Sequence, residues 1–164
     1  MVQGPADIHV RDARSDDAER VAAISEAAFA PLRSIYRPTG AAIARQAERA
    51  QMGTRLVAES EGTLAATVQY DQHADHVHVI GLAVHPDYQR RGIAGCLLEE
   101  ICQRAILLAQ PAVVLDTIKE TGNVPLFEKL GFRVTHEEVA TWCVSETYPV
   151  LHEVKMERGL LPDK

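Results

Sequence analysis

The segment from Leu82 to Leu98 constrains the fold of this chain more than any other. An apolar strand ends at Val84, a turn with Pro86 follows, and an amphipathic helix begins after two arginines and Gly92. The first amides of a helix lack intrahelical partners and carry a partial positive charge. Small residues let a ligand approach this backbone closely. The sequence therefore predicts a strand, loop and helix that form a cradle for an anion, above all a phosphate or pyrophosphate.

Length and composition are those of a soluble globular protein. The chain has 164 residues, so we expect a single domain over residues 1–164. Its net charge of −6 argues against nucleic acids and anionic membranes as partners, because both require a basic face. No stretch approaches the roughly 18 apolar residues that span a bilayer. The start lacks a basic segment followed by an apolar run, so we expect no signal peptide and a cytoplasmic location.

The apolar periodicity predicts an α/β fold in which helices pack on a mixed sheet. Strands are expected at residues 8–11, 54–59, 63–70, 76–84 and 112–116, with a closing antiparallel pair at 132–143 and 148–156. Helices are expected after Asp16, over 41–52, over 91–109 and over 123–130. Strand alternation places His76, His78, Ile80 and Leu82 on one face, unless a bulge shifts them.

The loop before the third helix resembles the signature of the GNAT superfamily of N-acyltransferases. That signature is Gln or Arg, two residues, Gly, one residue, and then Gly or Ala, which here corresponds to Gln89, Gly92 and Ala94. The apolar run before the loop is similar to the family's preceding strand, and the segment from Leu126 to Phe132 is similar to its late helix–strand junction. The order of elements matches from about residue 8 to residue 156, so the resemblance implies a GNAT-like fold with a mixed, mostly antiparallel central sheet flanked by helices.

The resemblance implies acetyl-CoA, or another acyl-CoA, as the acyl donor. In the family the loop amides bind the CoA pyrophosphate, and the matching positions here are Arg90, Arg91, Gly92, Ala94 and Gly95, with Gln89 opening the motif. The fourth and fifth predicted strands are expected to splay apart. The backbone of Leu82, Ala83 and Val84 is then expected to pair with the pantetheine arm, and an N–H there to polarise the thioester carbonyl.

The glycine loop has two alternative interpretations. A dinucleotide fold needs Gly-x-Gly-x-x-Gly after the first strand of a parallel unit, but only Gly92 and Gly95 are present, after a fourth strand. The second alternative is that the loop is an ordinary helix start that binds no ligand.

The three histidines His73, His76 and His78 also allow a metal site, but no convergent cysteine or carboxylate is evident, so we expect no metal.

The residues for acid and base catalysis depart from the family pattern. The resemblance implies a tyrosine as proton donor to the leaving thiolate, and Phe127 stands at the matching position. An asparagine expected seven residues earlier is replaced by Glu120, whereas Asn123 lies four residues before and either caps the helix or reaches the cofactor. His78 matches the position of a family base, and imidazole is a suitable base near neutral pH.

The acceptor is expected to be a primary amine on a small molecule. Arg33 and Arg37 are candidates to hold an acidic group of the acceptor and Tyr36 to line its slot, although this stretch equally reads as an ordinary charged surface loop. No nucleophilic cysteine or serine constellation is evident, which favours direct attack in a ternary complex. A homodimer through the late strands is possible. The absence of a tyrosine at Phe127 keeps open a non-catalytic domain that binds or senses acyl-CoA.

Overall fold

A seven-stranded sheet forms the centre of the computed structural model, which describes residues 7–49 and 51–160. The strands are β1 Ile8–Asp12, β2 Arg37–Pro38, β3 Thr54–Ser60, β4 Thr63–Gln72, β5 Val77–Val84, β6 Ala112–Ile118, β7 Arg133–Val139, β8 Cys143–Val144 and β9 His152–Gly159. The helices are α1 Ala18–Phe29, α2 Gly40–Arg49, α3 Ile93–Leu107 and α4 Val124–Lys129. The sheet order is β1-β3-β4-β5-β6-β9-β7, and β2 pairs with β8 in a separate two-stranded ribbon.

The sheet is antiparallel except where its two halves meet. β5 and β6 run parallel and pair only at Val77 with Val113 and at His78 with Val114. Beyond His78 the two strands share no pair within the described residues, so they diverge towards their carboxyl ends. The predicted mixed, mostly antiparallel sheet with splayed fourth and fifth strands is thus confirmed, these strands being β5 and β6.

One face of the sheet is covered by α3, whose apolar stripe supplies much of the core. Leu97, Ile101 and Ala105 recur at helical spacing and are fully buried against β4, β5 and β6. Burying a leucine or isoleucine side chain contributes roughly 1.5–3 kcal/mol relative to exposure, so this stripe holds the helix and its N-terminus firmly on the sheet. Cys102 packs in the same core, while Cys96 is half-buried.

A β-bulge interrupts the alternation of β5. Thr67 pairs with Ala83 but Gln69 pairs with Ile80, so Gly81 and Leu82 together oppose a single residue of β4. Gly81 has φ of +64°, a conformation that glycine adopts without steric strain. The exception that the sequence analysis allowed therefore applies, because the extra residue moves Leu82 away from the face of His78 and Ile80 to the opposite face, where it packs on the α3 core.

Several predicted boundaries also moved. α3 begins at Ile93, two residues after the predicted start, because Gly92 is left-handed and cannot continue a right-handed helix backwards. The predicted closing pair is present but shorter, since β7 ends at Val139 and β9 begins at His152. Pro149 lacks the N–H that a longer strand would need. No helix of the described ranges has the length and apolar character to cross a membrane.

Candidate active site

The start of α3 presents a row of unengaged backbone amides. The first helical hydrogen bond runs from the N–H of Cys96 to the carbonyl of Gly92 at 3.1 Å. Within the described part of the chain, the amides of residues 90–95 donate no hydrogen bond. Gly92 is the N-cap with φ of +79° and caps no amide with a side chain, and Arg90 is also left-handed with φ of +64°. Such a run of unengaged amides at a helix start is suited to an anion.

The side chains around the cradle stiffen the loop and make it positive. The Gln89 side-chain amide donates to the carbonyl of Val84 at 3.1 Å, which ties the loop to the end of β5. The Arg91 guanidinium lies 5.2 Å from the ring centroid of Tyr88. Among the described residues neither Arg90 nor Arg91 forms a salt bridge, and both are exposed. The predicted cradle residues thus lie together at one end of the splay.

The splay opens into a cavity of about 710 Å³ between the sheet, α1, α2 and α4. Six of the predicted site residues line it: Arg33, Tyr36, His78, Leu82, Asn123 and Phe127. The fold therefore places two of the three predicted acceptor residues, the predicted base and the late helix around one cavity. The volume is that of a typical small-molecule site. Arg37 does not line the cavity.

His78 lies in the wall of this cavity with both ring nitrogens engaged. Nε2 lies 2.8 Å from Oδ2 of Asp116 on β6, and Nδ1 lies 3.1 Å from a guanidinium nitrogen of Arg49 at the end of α2. A guanidinium has only donors, so Nδ1 accepts from Arg49 and Nε2 carries the proton that Asp116 accepts. A carboxylate behind an imidazole fixes the orientation of a base, but Arg49 here occupies the lone pair that would take a proton.

The late helix contributes an apolar surface and one free amide group. Phe127 is 8% exposed and contacts Phe132 edge to face, with the ring centroids 6.3 Å apart, so it is a core residue. It also lines the cavity. Asn123 is the N-cap of α4 but makes no capping hydrogen bond, and it faces the cavity. Glu120 instead anchors β9 by accepting from the backbone and ring of His152. Burial raises the pKa of Glu120, but these hydrogen bonds outweigh it and the net shift is downward.

The predicted acceptor arginines already have partners. Both terminal nitrogens of Arg33 bind the carboxylate of Glu26, at 2.7 and 2.5 Å. Arg37 lies 3.6 Å from a carboxylate oxygen of Glu146. Tyr36 does line the cavity, packed edge to face on Trp142 at 6.0 Å, and burial raises the pKa of its hydroxyl. Acceptor binding by Arg33, Tyr36 and Arg37 stays a prediction.

Five charged side chains of the cavity were missed by sequence reasoning. They are Arg45, Arg49, Arg55, Asp116 and Glu153. Two of the arginines are four residues apart within the predicted second helix. This spacing places them on one helical face and could have been recognised from the sequence. The two carboxylates lie on different strands of the second half of the sheet, and only the strand order brings them to the cavity.

The three clustered histidines lie at the turn between β4 and β5. The rings of His73 and His76 stack with centroids 4.7 Å apart, and His78 lies about 6 Å from both. Within residues 7–49 and 51–160, no three His, Cys, Asp or Glu side chains are placed to hold a metal ion. The expectation of a metal-free site stays a prediction.

Comparisons with known proteins agree with this geometry. The family model described as Acetyltransferase (GNAT) family matches residues 18–132. The acetyltransferase plu1384 of Photorhabdus laumondii subsp. laumondii is 32% identical over 86 residues, and this match spans 51% of the chain and 59% of that relative. The chain is similar in fold to two solved structures, each with 96% of both chains covered. One is the ribosomal-protein-S18-alanine N-acetyltransferase of Escherichia coli (TM-score 0.75, 18% identity), and the other is yncA of Salmonella typhimurium with its cofactor acetyl-CoA (TM-score 0.68, 21% identity). With a family match over most of its length and this fold, the chain belongs to the GNAT family of acetyltransferases.

Proposed function

We propose that the chain is a single acyltransferase domain that moves the acetyl group of acetyl-CoA to a primary amine on a small molecule. One observation carries the proposal: a row of unengaged amides at the start of α3 stands at the mouth of a splay that opens into a 710 Å³ cavity. The cradle suits a pyrophosphate, the splay an extended arm, and the cavity an acceptor. Family membership and the acetyl-CoA bound to a protein of similar fold support the choice of donor.

Backbone groups of the chain are proposed to bind the donor, acetyl-CoA. The amides of Arg90, Arg91, Gly92, Ala94 and Gly95, with Gln89 as the brace of the loop, would hold the pyrophosphate. The backbone of Leu82, Ala83 and Val84 borders the splay, where β5 has lost β6 as a partner. A backbone N–H at the bulge, where β5 has one residue more than β4, is the candidate to polarise the thioester carbonyl. Asn123 and Phe127 lie on the facing helix.

The acetyl group is proposed to be transferred by direct attack of the amine on acetyl-CoA. The amine nitrogen forms a bond to the thioester carbonyl carbon, the C–S bond breaks, the amine loses a proton and the thiolate gains one. A lysine-like amine costs roughly 4.6 kcal/mol to deprotonate at pH 7, so a base is needed, and His78 is the candidate. A cysteine nucleophile is disfavoured, because burial raises the pKa of Cys96 and Cys102 and raises that of Cys143 to about 11.

A second candidate function follows from Phe127, which brings no hydroxyl to the cavity. A domain that binds or senses acyl-CoA without catalysis needs no proton donor for a thiolate. Thr117, Thr121 and Tyr36 also line the cavity and carry hydroxyl groups, so catalysis is the better-supported proposal. A cytoplasmic location and a homodimer through the late strands stay predictions.

Two assays test the proposal and separate the alternatives. Thermal unfolding is followed with and without acetyl-CoA, and release of free thiol from acetyl-CoA is followed over a panel of amines and amino acids. The enzyme predicts a raised melting temperature and amine-dependent thiol release. A sensing domain predicts the first result alone. If millimolar acetyl-CoA leaves the melting temperature unchanged, both candidate functions are wrong.

A further inference from the structure

The cavity has two walls of opposite charge. One wall carries Arg45 and Arg49 from α2 together with Arg55 from β3, and the other carries Asp116 from β6 and Glu153 from β9. Within the described residues, none of these three arginines forms a salt bridge with a carboxylate. A cavity for a plain amine would need the acidic wall alone.

Arg55 shows that the cationic wall has unmet binding capacity. Its guanidinium donates to the hydroxyl of Thr67 at 2.9 Å and to the side-chain oxygen of Gln69 at 3.3 Å, both neutral partners. Burial lowers the pKa of Arg55, as expected for a cation held away from water without a counter-ion. A guanidinium has five N–H donors, so donors remain for an anion. An anionic ligand group would satisfy both the charge and these donors.

On the acidic wall, neither carboxylate forms an ion pair with a lysine or an arginine among the residues that the structure describes. Glu153 accepts from the indole N–H of Trp142 at 3.0 Å, and burial followed by the nearby Asp116 raises its pKa. Within residues 7–49 and 51–160, the side chain of Asp116 has the ring of His78 as its only hydrogen-bonding partner. Asp116 raises the proton affinity of Glu153, and two neighbouring carboxylates favour a cationic ligand group between them. An ammonium group meets this requirement before it gives up its proton.

The two walls are only one imidazole ring apart. Arg49 and Asp116 bind the two nitrogens of the same His78 ring. We propose that the acceptor is a small zwitterion of the amino-acid class, whose carboxylate binds the wall of Arg45, Arg49 and Arg55 and whose amine faces Asp116 and Glu153. The proposal rests on the acetyl transfer proposed above. It distinguishes a free amino acid from a peptide N-terminus, which has no carboxylate close to its amine.

The test compares matched acceptors. The amino acid with the fastest thiol release is compared with its carboxamide and with the amine that lacks the carboxyl group. Charge-assisted hydrogen bonds to one or two arginines predict a kcat/KM about tenfold to one hundredfold higher for the acid. Arg45→Gln and Arg55→Gln are expected to reduce this ratio by lowering the value for the acid. Arg55→Lys keeps the charge and is expected to restore part of it.

Controls keep the outcomes distinct. Arg133→Gln removes an exposed arginine on the far edge strand β7 and is expected to leave the ratio unchanged. Equal turnover of the acid, the carboxamide and the amine would overturn the inference and leave acetyl transfer intact. A ratio that survives both glutamine variants would overturn it too. If no amine releases thiol, calorimetry on CoA-loaded protein decides, and equal binding of acid and carboxamide overturns the inference.

Discussion

Replacing Gly92 by alanine tests the cradle most directly. Gly92 caps α3 with φ of +79°, and a Cβ built there would have no heavy atom within 4 Å. The substitution therefore creates no clash inside the protein, and its effect on stability is the cost of the left-handed backbone, about 1–2 kcal/mol. For a chain of this size each kcal/mol shifts the melting temperature by about 2–4 °C. We expect the ligand-free variant to melt about 2–8 °C lower.

The larger effect of Gly92→Ala is expected on the affinity for acetyl-CoA. The new methyl group would stand among the amides that are proposed to hold the pyrophosphate, so it should hinder close approach to the backbone. At a ligand concentration 100 times Kd, the wild type gains about 2.7 kcal/mol, or roughly 5–11 °C. A tenfold loss of affinity would remove about 1.4 kcal/mol of this gain. Differential scanning fluorimetry over a series of acetyl-CoA concentrations measures both quantities.

Gly62 supplies the matched control. It lies in the turn between β3 and β4 with φ of +82° and likewise has no atom within 4 Å of a built Cβ. Gly62→Ala should therefore lose as much stability as Gly92→Ala and keep the full acetyl-CoA shift. An undiminished ligand shift in Gly92→Ala, equal to that of the control, would refute a phosphate cradle at this helix start.

Three further changes probe the chemistry and the stability of the fold. His78→Ala should lower kcat with little change in acetyl-CoA affinity, and a wild-type kcat that stays constant from pH 6 to 9 would remove His78 from the mechanism. Phe127→Tyr adds a hydroxyl at the cavity, so steady-state kinetics should show a higher kcat if thiolate protonation limits the rate and an unchanged kcat otherwise. The side chain of Arg11 and then the backbone of Arg14 lower the pKa of Asp17 to about 2 by hydrogen bonding. Because this pKa is depressed, its stabilisation is complete above the ordinary value near 3.8 and disappears as the pH falls towards 2. Asp17→Asn should cost about 1 kcal/mol after solvent screening at neutral pH and little at pH 2, as measured by urea unfolding.

The sequence was sufficient for the strand, loop and helix start around Gly92 and for the order of the main elements, because both depend on local rules. The strand that ends at Val84, the small residues of the loop and the apolar stripe of α3 all act within a few residues of one another. The bulge at Gly81 was harder to place, since a single glycine inside a strand is compatible with several backbone paths. Only pairing with β4 fixes the extra residue between Ile80 and Ala83.

The acceptor side required tertiary information. Arg33 was an attractive ligand for an acidic group, but the turn after α1 brings it to Glu26, seven residues earlier. Arg55 could not be identified from the sequence, because no local pattern shows that its side chain faces the cavity. Nor does any local pattern show that its partners among the described residues are the neutral side chains of Thr67 and Gln69. The pairing of His78 with Asp116 joins residues 38 positions apart across a parallel contact of only two residue pairs. Such partners follow from the strand order and not from spacing.

Arg49 binds the ring of the proposed base, His78, and this contact predicts a link between acceptor binding and proton transfer. The ring can accept the amine proton only after Arg49 releases Nδ1, and Asp116 would then stabilise the charged ring. An acceptor carboxylate offers Arg49 a stronger partner than a neutral imidazole, so a bound amino acid would free the base, whereas a carboxamide would not. The acid should then exceed the carboxamide in kcat as well as in affinity. Arg49→Met frees Nδ1 permanently, so it should equalise the two kcat values while raising KM for the acid. A kcat difference that persists in Arg49→Met would contradict this coupling.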